Sequence, residues 1–253
     1  MTNMIGIIPA AGSGVRARPY SYEVHKGLFA IDGKSNIARI IETMRDDLGI
    51  SEIVIIVGYM ADAIRDTFGS GQEMDVSISY VENQHLDRGW AWSVLLAKPA
   101  LAGRNACVML ADEFYQGANF KDLLEISNLD RLATVLVKRN SDSELIKRNF
   151  SVEMDGTRII RLVENPTVVM NDILGMATFI VAPALFTLLE TAYGDSRPSI
   201  EFVNFLDELI REGHSVHSFE MQGQYINLND VSSLEAANDL AIRARLEKGT
   251  SPN

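Results

Sequence analysis

The chain has 253 residues, 47% of them hydrophobic and 23% charged, with a formal net charge of -11. That length suits one large domain better than two, and the acidic balance argues against nucleic acid as a partner, because affinity for a polyanion comes from neutralising its phosphates with Lys and Arg. The longest apolar runs are strand-sized, short of the roughly 20 residues a membrane helix needs, and no secretion signal opens the chain, so no membrane partner and a cytoplasmic location are expected.

Met4 to Pro9 reads as a buried strand that runs directly into the glycine-bearing turn AAGSG, the arrangement expected at the ligand end of an α/β sheet. Ile37, Ile40, Ile41 and Met44 then recur at helical spacing, Glu52 to Tyr59 reads as a buried strand, and Ala61 to Phe68 as a helix. Val76 to Val81 alternates as a strand, Gly89 to Lys98 predicts a helix ending at Pro99, and Ala106 to Leu110 is the next buried strand. Cys107 lies inside that apolar run and reads as a core thiol.

Arg131 to Lys138, Ser151 to Met154, Arg158 to Val163 and Gly175 to Val181 are further strand candidates, whereas Ala182 to Tyr193 and Ile200 to Glu212 are helical. Val216 to Met221 and Gln224 to Leu228 are expected to close the sheet, and Ser232 to Lys248 forms a terminal helix. The alternation predicts a three-layer α/β domain over residues 1–248 on a mixed, mostly parallel sheet, with a disordered tail at 249–253.

Three segments carry candidate chemistry. In residues 7 to 37, IIPAAGSGVRARPYSYEVHKGLFAIDGKSNI, the small residues Ala10, Ala11, Gly12, Ser13 and Gly14, followed by Val15, let backbone N–H groups approach an anion, while Arg16, Arg18 and Lys26 supply positive charge. The segment lacks the closing GK[ST] of a Walker loop and the third glycine of a dinucleotide fingerprint. On its own, a Gly-x-Gly after a strand is as readily a structural turn. In residues 107 to 117, CVMLADEFYQG, an apolar strand ends abruptly in Asp112 and Glu113. A carboxylate at that place suits a hard divalent cation shared with phosphates; a loop cap is the plainer reading. The third segment is YINLNDVSSLEAAN, residues 225 to 238.

These segments resemble the sugar-1-phosphate nucleotidyltransferase family, whose opening runs A-A-G-x-G-x-R-L-R-P-L-T, then P-K-x-L, then G-K-P-x-I; here they read AAGSGVRARPYS, HKGLF and GKSNI. The resemblance implies a Rossmann-like, GT-A-like fold and a glucose-1-phosphate thymidylyltransferase-like reaction: an NTP and a small phosphorylated metabolite give a nucleotide conjugate and pyrophosphate, with Mg²⁺ as cofactor. It assigns triphosphate and acceptor-phosphate contacts to Arg16 and Lys26, and the metal to Asp112. His25 stands where most relatives carry proline, a feature shared with phosphocholine cytidylyltransferases.

The family's closing W-x-D-x-G-T becomes Y-I-N-L-N-D, so the second metal ligand falls to Asn227 or Asn229. Gln84 and Gly89 match the base-reading loop, and Trp90 and Trp92 are expected either in the acceptor pocket or in the core. Glu164 and Asn165 take the place of E-K, removing a positive contact to the acceptor phosphate, and Gly175 resembles the glycine that lets a sugar ring approach the backbone. Asp87 and Glu82 add acidic groups near the expected acceptor pocket. A sugar 1-phosphate is the leading acceptor. A cytidylyltransferase acting on a non-sugar phosphate and a nucleotide sensor without turnover are the alternatives, and a homo-oligomer is compatible with each.

Overall fold

The computed structural model describes residues 3–126, 130–140, 142–194 and 197–249. In chain order it contains β1 (Met4–Ala10), β2 (Ala30–Ile31), β3 (Lys34–Ser35), α1 (Asn36–Glu42), β4 (Glu52–Val57), α2 (Ala61–Phe68), β5 (Ser77–Glu82), α3 (Trp90–Leu96) and α4 (Lys98–Leu101). There follow β6 (Asn105–Met109), β7 (Glu113–Gln116), α5 (Phe120–Ile126), β8 (Ala133–Arg139), α6 (Ser143–Lys147), β9 (Phe150–Asp155) and β10 (Arg158–Glu164). The chain continues through β11 (Ile173–Val181), α7 (Pro183–Gly194), α8 (Phe202–Arg211), β12 (Val216–Glu220), β13 (Gln224–Asn227) and α9 (Val231–Gly249).

The main sheet has the order β5-β4-β1-β6-β11-β8-β12-β10-β9. Its central strands are apolar on both faces because both faces are covered. Ile53, Ile55 and Val57 of β4 enter one core with Ile8, Cys107 and Met109, while Val54 and Ile56 enter the other with Ile5, Ile7 and Val108. That is the three-layer arrangement the sequence predicts. A third, smaller core joins Ile31, Phe114 and Leu228 to Ala237 and Ala241 of α9. Among the described residues no helix is long and apolar enough to cross a membrane.

The expectation of a mostly parallel sheet holds for one half only. β5, β4, β1 and β6 are parallel, joined by crossovers through helices. Beyond them β11 runs antiparallel to β6 and β8, and β10 antiparallel to β12 and β9, while β12 pairs parallel with β8. The tight β9–β10 connection explains part of the difference: Gly156, at φ 58°, turns the chain straight back on itself, which only an antiparallel pair allows.

β13 does not close this sheet; it pairs with β7 as a separate two-stranded sheet, with Tyr225 opposite Tyr115 and Asn227 opposite Glu113. The predicted helix ending at Pro99 is two helices, α3 and α4, and Pro99 falls in the first turn of α4, where its missing N–H costs no internal bond. Of the expected tail, Gly249 is still helical and 250–253 lie outside the described residues.

Candidate active site

The parallel strands bring their carboxyl ends to one place. After β1 the chain turns through Ala11–Gly14 into a 3-10 turn at Val15–Ala17. Gly14 has φ 60°, and a Cβ there would crowd Ser21 Cβ at 3.2 Å and Lys26 Cβ at 3.3 Å, so glycine is required both by conformation and by space. Ser21 Oγ donates to the Gly14 carbonyl at 2.8 Å. Tyr59, just past β4, donates its hydroxyl to the Ser21 carbonyl at 3.2 Å and its backbone N–H to the Ala11 carbonyl at 2.9 Å. The glycine turn is thus braced from behind. In front of it lies a cleft of about 430 Å³, walled by Pro9 through Val15 and by His25, Lys26, Trp90, Ser93 and Asp112.

Lys26, 9% exposed, stands at the floor of the cleft. Its ammonium donates to Asp112 Oδ2 at 2.5 Å and to Asn229 Oδ1 at 3.3 Å. Asp112 lies between β6 and β7, and Asn229 lies just past β13, so pairing of those two short strands brings the residues together; Leu228 N–H donates directly to the Asp112 carbonyl at 2.8 Å. Asn227 points to other partners: its Nδ2 donates to Asn149 Oδ1 at 3.3 Å, and its own Oδ1 is buried without a hydrogen bond.

His25, 3% exposed, accepts the Gly27 N–H on Nδ1 at 3.0 Å. Burial pushes its pKa below 6.5, against the opposing pull of the Ala10 and Gly12 backbone. The ring is therefore neutral with its proton on Nε2, and it fixes the turn that presents Lys26.

Glu113 is 1% exposed and follows Asp112 directly. Its carboxylate accepts from Tyr115 Oη at 2.6 Å, Ala177 N at 2.8 Å, Tyr225 Oη at 2.9 Å and Thr178 Oγ1 at 3.2 Å. Burial pushes its pKa up to about 7 despite these donors, and pushes both tyrosines well above 10.0.

Asp112 and Asn229 offer oxygens to one point, held here by the Lys26 ammonium, and the Asn227 carbonyl oxygen is buried and unpaired. Oxygens of this kind fit a hard divalent cation. Among the described residues there is no group of three His, Cys, Asp or Glu side chains placed to hold a metal. The donor set therefore fits a cation completed by phosphate oxygens, rather than one held by protein alone.

Of the other residues expected at the site, Trp90 lines the cleft, but Trp92 does not. Trp92 faces a separate hollow, with the Arg88 guanidinium 3.8 Å from its ring centre and Tyr193 edge-on at 5.0 Å. Glu164 and Asn165 lie at the end of β10 beside β9, off the cleft wall; Asn165 N–H donates to the Asn149 carbonyl at 2.8 Å, and burial raises the Glu164 pKa. Gly175 is buried, and the place a Cβ would take beside its Cα is filled by the Phe150 ring, 1.9 Å away. Gln84 is exposed; its neighbour Asn83 is 4% exposed and donates to Ser93 Oγ at 2.9 Å on the cleft wall. The Arg16 side chain lies outside the described residues.

The sequence reading missed Asn83, Ser93, Asn149 and the Glu113 network. The one usable signal was alternation: in the four-residue runs EFYQ and QYIN, Glu113 and Tyr115 share a face, as do Tyr225 and Asn227.

The nucleotidyl transferase family model matches residues 5–242. The chain is 25% identical over 226 residues to a UTP–glucose-1-phosphate uridylyltransferase, AglF, of Haloferax volcanii, covering 89% of this chain and 91% of that protein. It is 26% identical over 239 residues to a glucose-1-phosphate thymidylyltransferase of Streptomyces antibioticus, covering 93% of this chain but 65% of that one. Among solved structures, a Bacillus anthracis protein assigned as a glucose-1-phosphate thymidylyltransferase and crystallised with sucrose superposes with a TM-score of 0.83 at 23% identity, over 94% of this chain and 95% of that one. An apo UDP-glucose pyrophosphorylase gives 0.80 at 16% identity, over 97% and 100%.

Proposed function

The chain belongs to the nucleotidyl transferase family, and on that basis we propose that it transfers the nucleoside monophosphate of an NTP to a sugar 1-phosphate, forming an NDP-sugar and pyrophosphate. The observation that carries the reading is Lys26, held between Asp112 and Asn229 on the floor of a cleft walled by the glycine turn. The names of the relatives supply the sugar 1-phosphate.

In this reaction an acceptor phosphate oxygen bonds to the α-phosphorus, the α-phosphorus bond to the oxygen shared with the β-phosphorus breaks, and pyrophosphate leaves with that electron pair. The attacking phosphate is already an anion, so no general base is needed. Negative charge spreads over the phosphoryl oxygens, where fixed positive groups and N–H dipoles stabilise it best. Backbone N–H groups of the turn through Val15 cradle the triphosphate, with Arg16 assigned to the same ligand. Lys26 exchanges its contact with Asp112 for phosphate oxygens, and neutral His25 keeps its loop in place. Mg²⁺, held by Asp112 and Asn229 together with the nucleotide, would add Lewis-acid charge neutralisation. Gln84 and Gly89 are assigned to the base.

A second reading, a cytidylyltransferase for a non-sugar phosphate, is favoured by one feature: Trp90 lines the cleft, and an aromatic side chain there suits a quaternary ammonium. The test is pyrophosphate release with Mg²⁺, each of the five common NTPs, and sugar 1-phosphates, phosphocholine or aminoethylphosphonate as acceptor, with Lys26→Ala as the inactive control. Release that requires one NTP and one sugar 1-phosphate is expected. Release with only a non-sugar acceptor overturns the sugar reading, and NTP binding without release throughout the panel points to a sensor.

A further inference from the structure

We infer that Glu113 is a positioning residue, whose buried carboxylate fastens the Asp112 end of β7 to β11 and β13 and thereby sets where Asn229 stands against Lys26. The inference rests on the reading of that cluster as the reacting centre.

Four donors reach this one carboxylate from three elements: Tyr115 from its own strand, Tyr225 from β13, and Ala177 and Thr178 from β11. Tyr115 Oη is also 2.8 Å from Thr178 Oγ1, and Tyr225 Oη donates to Asn149 Oδ1 at 3.4 Å as well as to Glu113. Opposite Glu113 in the β7–β13 register stands Asn227, two residues before Asn229. The two strands are only four residues long, and such a pair is marginal without a buried anchor. The carboxylate supplies that anchor: it joins β7–β13, which carries Asn229, to the main sheet through β11.

Burying a carboxylate is costly, and it is tolerated only where hydrogen bonds compensate. Glutamine at 113 has the same size but no charge and one acceptor oxygen in place of two; with that oxygen toward Ala177 N–H and Tyr225, its amide nitrogen takes the Oε2 place, and the Tyr115 and Thr178 hydroxyls that donate to the carboxylate must reverse and accept. The expected outcome is a local loosening of β13 rather than unfolding.

The experiment compares wild type, Glu113→Gln and Tyr225→Phe by thermal melting, NTP affinity without divalent cation, turnover, and crystal structure. Both variants should fold and keep cation-free NTP affinity within about twofold, because the glycine turn is untouched. Turnover should fall about 10- to 100-fold, the size of effect expected when a reacting group is displaced by about 1 Å, with the Lys26–Asn229 contact lengthened in the crystal. Glu113→Gln with wild-type turnover and an unchanged Lys26–Asn229 contact would overturn the inference, whatever its melting temperature. If the wild type itself releases no pyrophosphate, the proposed reaction fails, and the crystal comparison still decides the role of Glu113.

Discussion

Replacing Gly175 by alanine should damage the fold rather than the handling of an acceptor. Gly175 does not have a positive φ, so the added methyl brings no backbone strain and the effect is steric. The new Cβ would stand 1.9, 2.2 and 2.4 Å from three atoms of the Phe150 ring, where ordinary contact begins at 3.4 Å, so the ring must withdraw by about 1.5 Å. It has little room to do so. Phe150 is 3% exposed and lies parallel to Phe179 at 6.4 Å, and Phe179 is held in turn by Trp90 at 5.9 Å and Phe202 at 5.1 Å. Overpacking of this kind costs about 1–3 kcal/mol, and so deep an overlap belongs at the upper end. About 3 kcal/mol corresponds to a drop in Tm of roughly 6–12 °C for a chain of this size. Thermal melts read by circular dichroism measure it, and the double variant Gly175→Ala/Phe150→Leu should recover much of the loss, giving a coupling of about 1 kcal/mol or more in the cycle. A Gly175→Ala protein that melts within about 1 °C of wild type, yet has a raised acceptor KM, would refute the packing argument and restore the glycine to the ligand.

Gly89→Ala should weaken NTP binding about tenfold, because Gly89 has φ 80° and a Cβ there would meet the Ile200 carbonyl oxygen at 2.5 Å, a backbone atom that cannot swing aside; unchanged NTP affinity by calorimetry would separate the 84–89 loop from the base. His25→Asn tests the buried imidazole, since its amide oxygen can replace Nδ1 as acceptor for the Gly27 N–H. Burial holds the folded-state pKa of His25 below 6.5, so the unfolded chain takes up the proton first, and stability that is present above pH 6.5 is lost as the pH falls through the folded value. The Tm of wild type minus that of His25→Asn should therefore shrink on acidification below pH 6.5, and a gap that stays constant would mean that the imidazole does not titrate differently on folding.

Most elements of the main sheet were legible because their signal is local. β1 and β4 are continuous apolar runs, and α2 carries Ile64 and Phe68 one turn apart. The glycine turn and Asp112 were legible as strand ends that stop abruptly. The partner of β13 was not, because QYIN alternates like any edge strand and contains nothing that selects β7 over the main sheet. Glu113 read only as the second carboxylate after an apolar strand, because the donors that bury it come partly from β11 and β13, far away in sequence. Trp92 could have been assigned better from helix geometry alone: two positions apart on a helix means about 200° around the axis, so Trp90 and Trp92 could not both face one cleft. Nothing local revealed that Phe150 would fill the space at Gly175, since that contact is between strands paired at a distance in sequence.

The β7–β13 pair and the small core beneath α9 also bear on how the protein is made. During synthesis the glycine turn, Lys26 and Asp112 leave the ribosome well before residue 229, so the Lys26–Asp112 pair is translated long before its Asn229 partner. The cluster closes only when β13 docks on β7 and when Ala237 and Ala241 cover Phe114 and Leu228. Domains generally fold as units during synthesis, so the complete Lys26–Asp112–Asn229 cluster is a late property of the polypeptide.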